Sequence, residues 1–233
     1  MVGPILGQPR APRQPRLRGV TTQSAAPGSR QARKERTRRA ILDAALDLLV
    51  DEGFASLSLR RLTKEVGIVP TAFYRHFSTL DELGLALVDE SFATLRAMIR
   101  EVRRDAPPPD ELIDASVDVL CAQLDAHPTH FRFIARERYG GVPVVRDAIA
   151  RELDGIEREL ATDLAGMPGL ERWGPTDLAV LAGLFVDLMV AAAAELVSTE
   201  AGHPDVRAAI ELTLRRQARM VVVGAAGWEP LAP

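Results

Sequence analysis

Tyr74, Arg75 and His76 put a phenol, a guanidinium and an imidazole side by side. Just before them stand Pro70, Thr71 and Ala72, which are constrained or small. Groups of the first kind hold phosphate oxygens, and small side chains let a backbone approach base edges, so the combination suits double-stranded DNA. Bond-making chemistry has little to compete with. The chain contains no H-E-x-x-H, G-x-S-x-G, G-x-x-x-x-G-K-[ST] or G-x-G-x-x-G, so no enzyme activity is expected. The four histidines are scattered. His127 and His130 are three apart but bracket Pro128, and no carboxylate or thiol at close spacing completes a metal site. The single cysteine, Cys121, excludes an internal disulfide and lies on an apolar helical pattern, as an inert buried thiol would.

Two short helices and a tight turn must position these groups. In Leu59, Leu62 and Val66 the i, i+3, i+7 spacing marks one buried face. Ser58 is a favoured N-cap and Gly67 a favoured left-handed stop. Ile68 and Val69 plug the turn, and Pro70 falls where a helix can start without an N–H. Phe73 and Phe77, i and i+4, point inward. This is the layout of a helix-turn-helix whose second helix enters the major groove. Spacing alone also allows an ordinary αα-hairpin with solvated charges.

The segment S-L-R-R-L-T-K-E-V-G-I followed by V-P-T-A-F-Y-R-H-F, together with T-R-R-A-I-L-D-A-A-L-D-L-L-V-D-E-G-F from Thr37 to Phe54, resembles the TetR family of bacterial transcription regulators. The resemblance implies an all-α fold, an N-terminal three-helix DNA-binding domain and a C-terminal helical domain for ligand binding and dimerisation. One departure is Val69, which stands where most of the family has a capping Ser. With Pro70 next, this variant resembles the FabR-type repressors of fatty-acid biosynthesis, as does the stretch His127 to Ile149 with its R-E-R run. The expected DNA contacts are Thr37 and Arg38 ahead of the first helix's apolar stripe, Ser58, Leu59 and Arg60 at the start of the helix pair, and Pro70, Thr71, Ala72, Tyr74, Arg75 and His76 beyond the turn.

The chain is 233 residues with net charge −3. Residues 1–40 hold ten basic residues against Glu35 alone, a net +9 that leaves the remainder at −12. That split suits a basic arm for a polyanion on a body that does not itself bind one. Residues 1–30, rich in Pro, Gly, Arg, Gln and Ser, are expected to be disordered. Residues 1–33 lack the apolar region of a signal peptide, and a cytoplasmic location is expected.

Residues 31–78 are expected to form the DNA-binding domain, with a first helix from Gln31 to Glu52 ended by Gly53, and residues 79–233 the body. At about 45 residues the first domain is too small to stand alone, so it should lean on the next helix. That helix opens with a capping box, Thr79 and Glu82, and runs to about Arg104 as a rod joining both parts. Further helices are expected over residues 110–126, 143–165, 176–198 and 204–223. Leu178 to Val197 approaches a membrane span in length and polarity, but Asp187 at its centre and Glu195 favour a helix buried inside a folded protein, so no membrane partner is expected. The last two helices suit an isologous homodimer interface, with Leu181, Phe185, Leu188, Ile210 and Leu214 as its residues.

No cofactor is expected. The aliphatic body suits a small hydrophobic effector, and the FabR-like stretches point to a long-chain fatty acyl-CoA, with Arg132, Arg136 and Phe133 as its residues. Arg132 and Arg136 could instead pair with neighbouring carboxylates or meet the DNA-reading head. An efflux-type repressor answering a lipophilic drug, and more remotely a helical lipid carrier or enzyme, stay open.

Overall fold

A computed structural model describes residues 27–105, 111–199 and 202–229, and these are helical with no strand among them. Nine α-helices follow in order: α1 Pro27–Leu48, α2 Leu59–Val66, α3 Pro70–Phe73, α4 Leu80–Asp105, α5 Leu112–Ala126, α6 Pro128–Glu137, α7 Pro143–Ala165, α8 Pro175–Ser198 and α9 Pro204–Ala226. A 3-10 turn, Phe54–Ser56, joins α1 to α2. The expected disordered arm lies largely outside the described residues, but its last residues, from Pro27, already belong to α1.

Proline opens α3, α6, α7, α8 and α9, and none of these five starts has a side-chain cap. The residue lacks the N–H that would otherwise need a partner, so these helices start without a capping side chain. At α2 and α4 the caps are side chains. The Ser58 hydroxyl accepts from Arg61 N at 3.3 Å, and Thr79 Oγ1 from Glu82 N at 3.0 Å. Glu82 reaches back to Ser78 N at 2.6 Å, one residue earlier than a capping box requires.

The head, α1 to α3, shares its core with the body. One apolar cluster runs from Ile41, Leu62, Phe73 and Phe77 through Leu83, Leu87 and Phe92 of α4 to Phe133, Val145 and Ile149 of α6 and α7. The head therefore leans on more than α4. A second cluster joins α5, α6, α8 and α9 around Val117, Leu120, Leu196 and Leu214. A third lies where α7 meets α8, around Leu164, Leu178, Leu181 and Ala182. The α8 helix is long and apolar enough to cross a membrane by length and composition. Here it packs against α5, α6, α7 and α9.

Two boundaries differ from expectation. The first helix stops at Leu48, short of Glu52, and Leu49 and Val50 continue as tighter turns. Gly53, five residues past the last helical position, has φ −78° and ψ 158°, ordinary extended backbone. A Cβ there would make ordinary contact with Glu137 Oε1, at 3.4 Å. The α-helical part of the reading element also ends early, at Phe73. Tyr74 to His76 follow as turns closed by Arg75 N to Ala72 O (3.2 Å) and His76 N to Phe73 O (2.8 Å).

Candidate nucleic-acid interface

Local chemistry builds the α2–α3 pair. Gly67 takes φ 73°, its N–H bonds to Lys64 O, and Ile68 N bonds to Thr63 O at 2.9 Å. The two bonds close the end of α2 and turn the chain toward Pro70, at a φ that costs most residues about 1 kcal/mol. Val69 stands at the N-cap of α3 with no side-chain bond and is 64% exposed. Phe73 and Phe77 are buried and stack at 5.6 Å between ring centroids. Tyr74 is 57% exposed, although burying an aromatic of this size stabilises by about 1.5–3 kcal/mol. Its phenol is held out in water by the same turn that buries its neighbours.

Pro70, Thr71, Tyr74 and Arg75 are exposed, Ala72 is half-buried, and Arg60 of α2 is exposed. His76 is half-buried, and its Nδ1 has no hydrogen-bond partner. Burial first, then the charges of Lys34 and Arg38, hold this imidazole below its ordinary pKa. Arg30, Arg33, Lys34 and Arg36 are exposed at the N-terminal end of α1.

Other residues expected at DNA are occupied within the fold. Arg38 donates to His76 O at 3.1 Å, and its guanidinium lies 4.2 Å from the Phe77 ring centroid. It braces the reading turn against α1. Thr37 donates to Arg33 O at 3.1 Å within its own helix. Leu59 packs against the core, and Ser58 serves as the cap of α2.

The residues expected at an effector are not brought together. Phe133 is 2% exposed inside the core. The Arg132 Nε donates to Val197 O at 3.0 Å, satisfying a carbonyl at the end of α8. Arg136 Nη1 donates to Leu49 O at 3.2 Å, just past α1. Of the two arginines, Arg136 thus contacts the head and Arg132 contacts α8. Two shallow depressions, of about 340 and 320 Å³, flank α1 against α4 and α6, and none of these three residues lines either.

The expected dimer residues divide. Leu181 and Leu214 are 5% and 1% exposed and belong to the protomer's own core. Phe185, Leu188 and Ile210 are partly buried against the same clusters. A helix apolar all round does not disclose which stripe its own chain covers. Among the described residues the uncovered large apolar side chains of these helices are Val180 and Leu184 of α8, and Val206, Leu212, Met220, Val222 and Val223 of α9. Among the described residues no group of His, Cys, Asp or Glu is placed to hold a metal ion. Cys121 is half-buried; burial, then Glu211, push its thiol up to about 11, which keeps it protonated and unreactive.

Sequence reasoning missed a polar cluster joining three elements. The Ser91 hydroxyl and His130 Nδ1 share a hydrogen bond of 3.0 Å, His130 Nε2 lies 3.8 Å from Glu90 Oε1, and Arg39 Nη1 reaches the same oxygen at 2.8 Å. A histidine on an apolar helix was the one available signal.

A braced two-helix reader with an exposed polar and basic face, carried on a helical body, is the arrangement of a DNA-binding regulator. The comparisons agree on the class and give the family. Residues 41–87 match the family model for bacterial regulatory proteins of the tetR family, and residues 109–220 match a tetracyclin repressor-like C-terminal domain. The chain belongs to the TetR family of transcriptional regulators, not to an enzyme family. Its fold is similar to a transcriptional regulator from Rhodococcus sp. Rha1 (23% identity, TM-score 0.62, covering 84% of this chain and 99% of that one). It is also similar to a TetR-family regulator from Streptomyces coelicolor (22%, 0.62, 82% and 96%). A third similar structure is FadR from Bacillus subtilis, solved in complex with stearoyl-CoA (14%, 0.58, 80% and 98%).

Proposed function

We propose that this regulator is a homodimeric repressor that reads an inverted-repeat operator and releases it on binding a long-chain acyl-CoA-like effector. The observation that carries the DNA half is the exposed face from Pro70 to Arg75, held rigid from behind by Phe73, Phe77 and Arg38. Thr71 and Ala72 face base edges, while Tyr74 and Arg75 take phosphates on either side. Two such faces about 34–36 Å apart would enter successive major grooves. The uncovered apolar residues of α8 and α9 supply a self-complementary surface for the second copy, and acting on DNA places the protein in the cytoplasm.

The effector half has different support. The body is aliphatic, the R-E-R stretch is FabR-like, and a protein of similar fold was solved with stearoyl-CoA. Arg132 and Arg136 already hold main-chain carbonyls, so the anionic head of the ligand meets them only if those bonds open.

The test is a gel shift on the DNA upstream of the protein's own gene, titrated with saturated and unsaturated long-chain acyl-CoA and with free coenzyme A. Acyl-CoA should release the DNA, and coenzyme A alone should not. If no acyl-CoA changes the affinity, the lipid effector is wrong. If a cationic aromatic compound releases the DNA instead, the protein regulates efflux.

A further inference from the structure

The end of α1 and the start of the helix-turn-helix are both fastened to one place in the body, the last turn of α6. Glu137 is a glutamate only 3% exposed. Its Oε1 accepts the Phe54 N–H at 2.8 Å, across 83 residues of sequence. The preceding residue, Arg136, donates to Leu49 O at 3.2 Å, across 87 residues. One bond takes a carbonyl left over at the end of α1, and the other takes the first N–H of the 3-10 turn that leads to α2.

A glycine packs on the carboxylate: a Cβ on Gly140 would lie 2.2 Å from Glu137 Oε2. The Phe54 ring, whose N–H is held, sits against Gly84 of α4, where an added Cβ would lie 2.8 Å from Cζ. The joint between α1 and α2 is therefore tied to α6 through its backbone and wedged against α4 through its side chain.

We propose that Arg136 and Glu137 are positioning residues for DNA reading: a two-point clasp that sets the orientation of the helix-turn-helix relative to the body. Neither residue touches DNA. They act through the segment from Leu49 to Phe54, whose other bonds are local turns and the Glu52–Arg61 pair within the head, so these two bonds are what fasten it to α6. The inference rests on the DNA-binding reading above and adds where the head's orientation is held.

Three variants of the full-length protein test it by amide hydrogen exchange and by affinity for the upstream DNA. Glu137→Ala removes the acceptor and leaves a buried N–H unpaired. Gly140→Ala keeps the carboxylate but pushes it aside, which guards against a misfolded Glu137→Ala. Glu137→Gln keeps an acceptor oxygen. Exchange over residues 50–57 should speed at least about tenfold in the first two and stay near wild type in the third. Operator affinity should fall about tenfold in the first two and change less than about twofold in the third. Leu164→Ala, a core truncation remote from the head, should destabilise the protein without either effect. Unchanged exchange over residues 50–57 in Glu137→Ala and Gly140→Ala would overturn the clasp, and so would equal losses in Leu164→Ala. Exchange is read without DNA, so these failures are separate from a wild-type protein that does not bind the upstream DNA.

Discussion

His130 shows how one buried imidazole ties stability to pH. It is 8% exposed, shares a bond with Ser91, and faces Glu90, Arg39, His127 and Asp43 from α4, α1 and its own helix start. Burial first, then His127 and Arg39, hold it below its ordinary value of 6.5. The folded state therefore binds the proton less well than the unfolded chain, and its contribution is lost as pH falls below 6.5. Glu90 works in the opposite sense: burial, then Asp43, raise it above 4.5, so acidification relieves it. Thermal unfolding should separate the two. Between about pH 7.5 and about pH 5.5 the wild type should lose more stability than His130→Gln, because Glu90 is common to both. Equal losses in the two proteins would remove His130 from the account.

At the scale of elements, α4 decides how tightly head and body close. Gly84 lies on α4 between Val145 of α7 and the Phe54 ring, and a Cβ there would stand 2.6 Å and 2.8 Å from them. In an isolated helix Gly84→Ala would gain about 1 kcal/mol. Here overpacking of two buried side chains, at about 1–3 kcal/mol, opposes the gain. The expected outcome of calorimetry is a lower Tm, with faster amide exchange in the Phe54 turn. A raised Tm would show that Val145 or Phe54 yields easily.

The same elements show what the sequence disclosed and what it withheld. Ser58, Gly67, Pro70 and Thr79 were legible because capping and turn chemistry involves residues within a few positions of each other. Phe73, Phe77 and Tyr74 were sorted correctly into inward and outward by periodicity alone. Arg38, Arg136 and Glu137 were not, because their partners lie 38, 87 and 83 residues away, and nothing local distinguishes a tether from a free charge. Leu181 is covered by its own chain while Val180 and Leu184 are not, a difference that an apolar-all-round helix cannot reveal.

For the whole molecule, the uncovered stripe makes the proposed dimer testable. Leu184→Glu or Val223→Glu puts a charge on a surface that is 48% or 74% exposed in the single chain. Sedimentation should show helical monomers, with operator affinity reduced at least about tenfold because one head makes half the contacts. Leu214→Glu, by contrast, buries a charge at a site 1% exposed and should unfold the protein rather than divide it. Intact dimers for both surface variants would move the interface off these helices.

The distribution of charge has a kinetic consequence. Residues 79–233 carry 26 carboxylates against 15 arginines, while Arg30, Arg33, Lys34 and Arg36 stand exposed at one end of α1. The molecule is thus an electric dipole, and a DNA rod exerts a torque on it during approach. Collisions that present the body are repelled, and those that present the head are drawn in and aligned before any base is touched. Added salt weakens both forces within a Debye length of about 8–10 Å, so capture slows twice over: fewer collisions succeed, and more of them arrive the wrong way round.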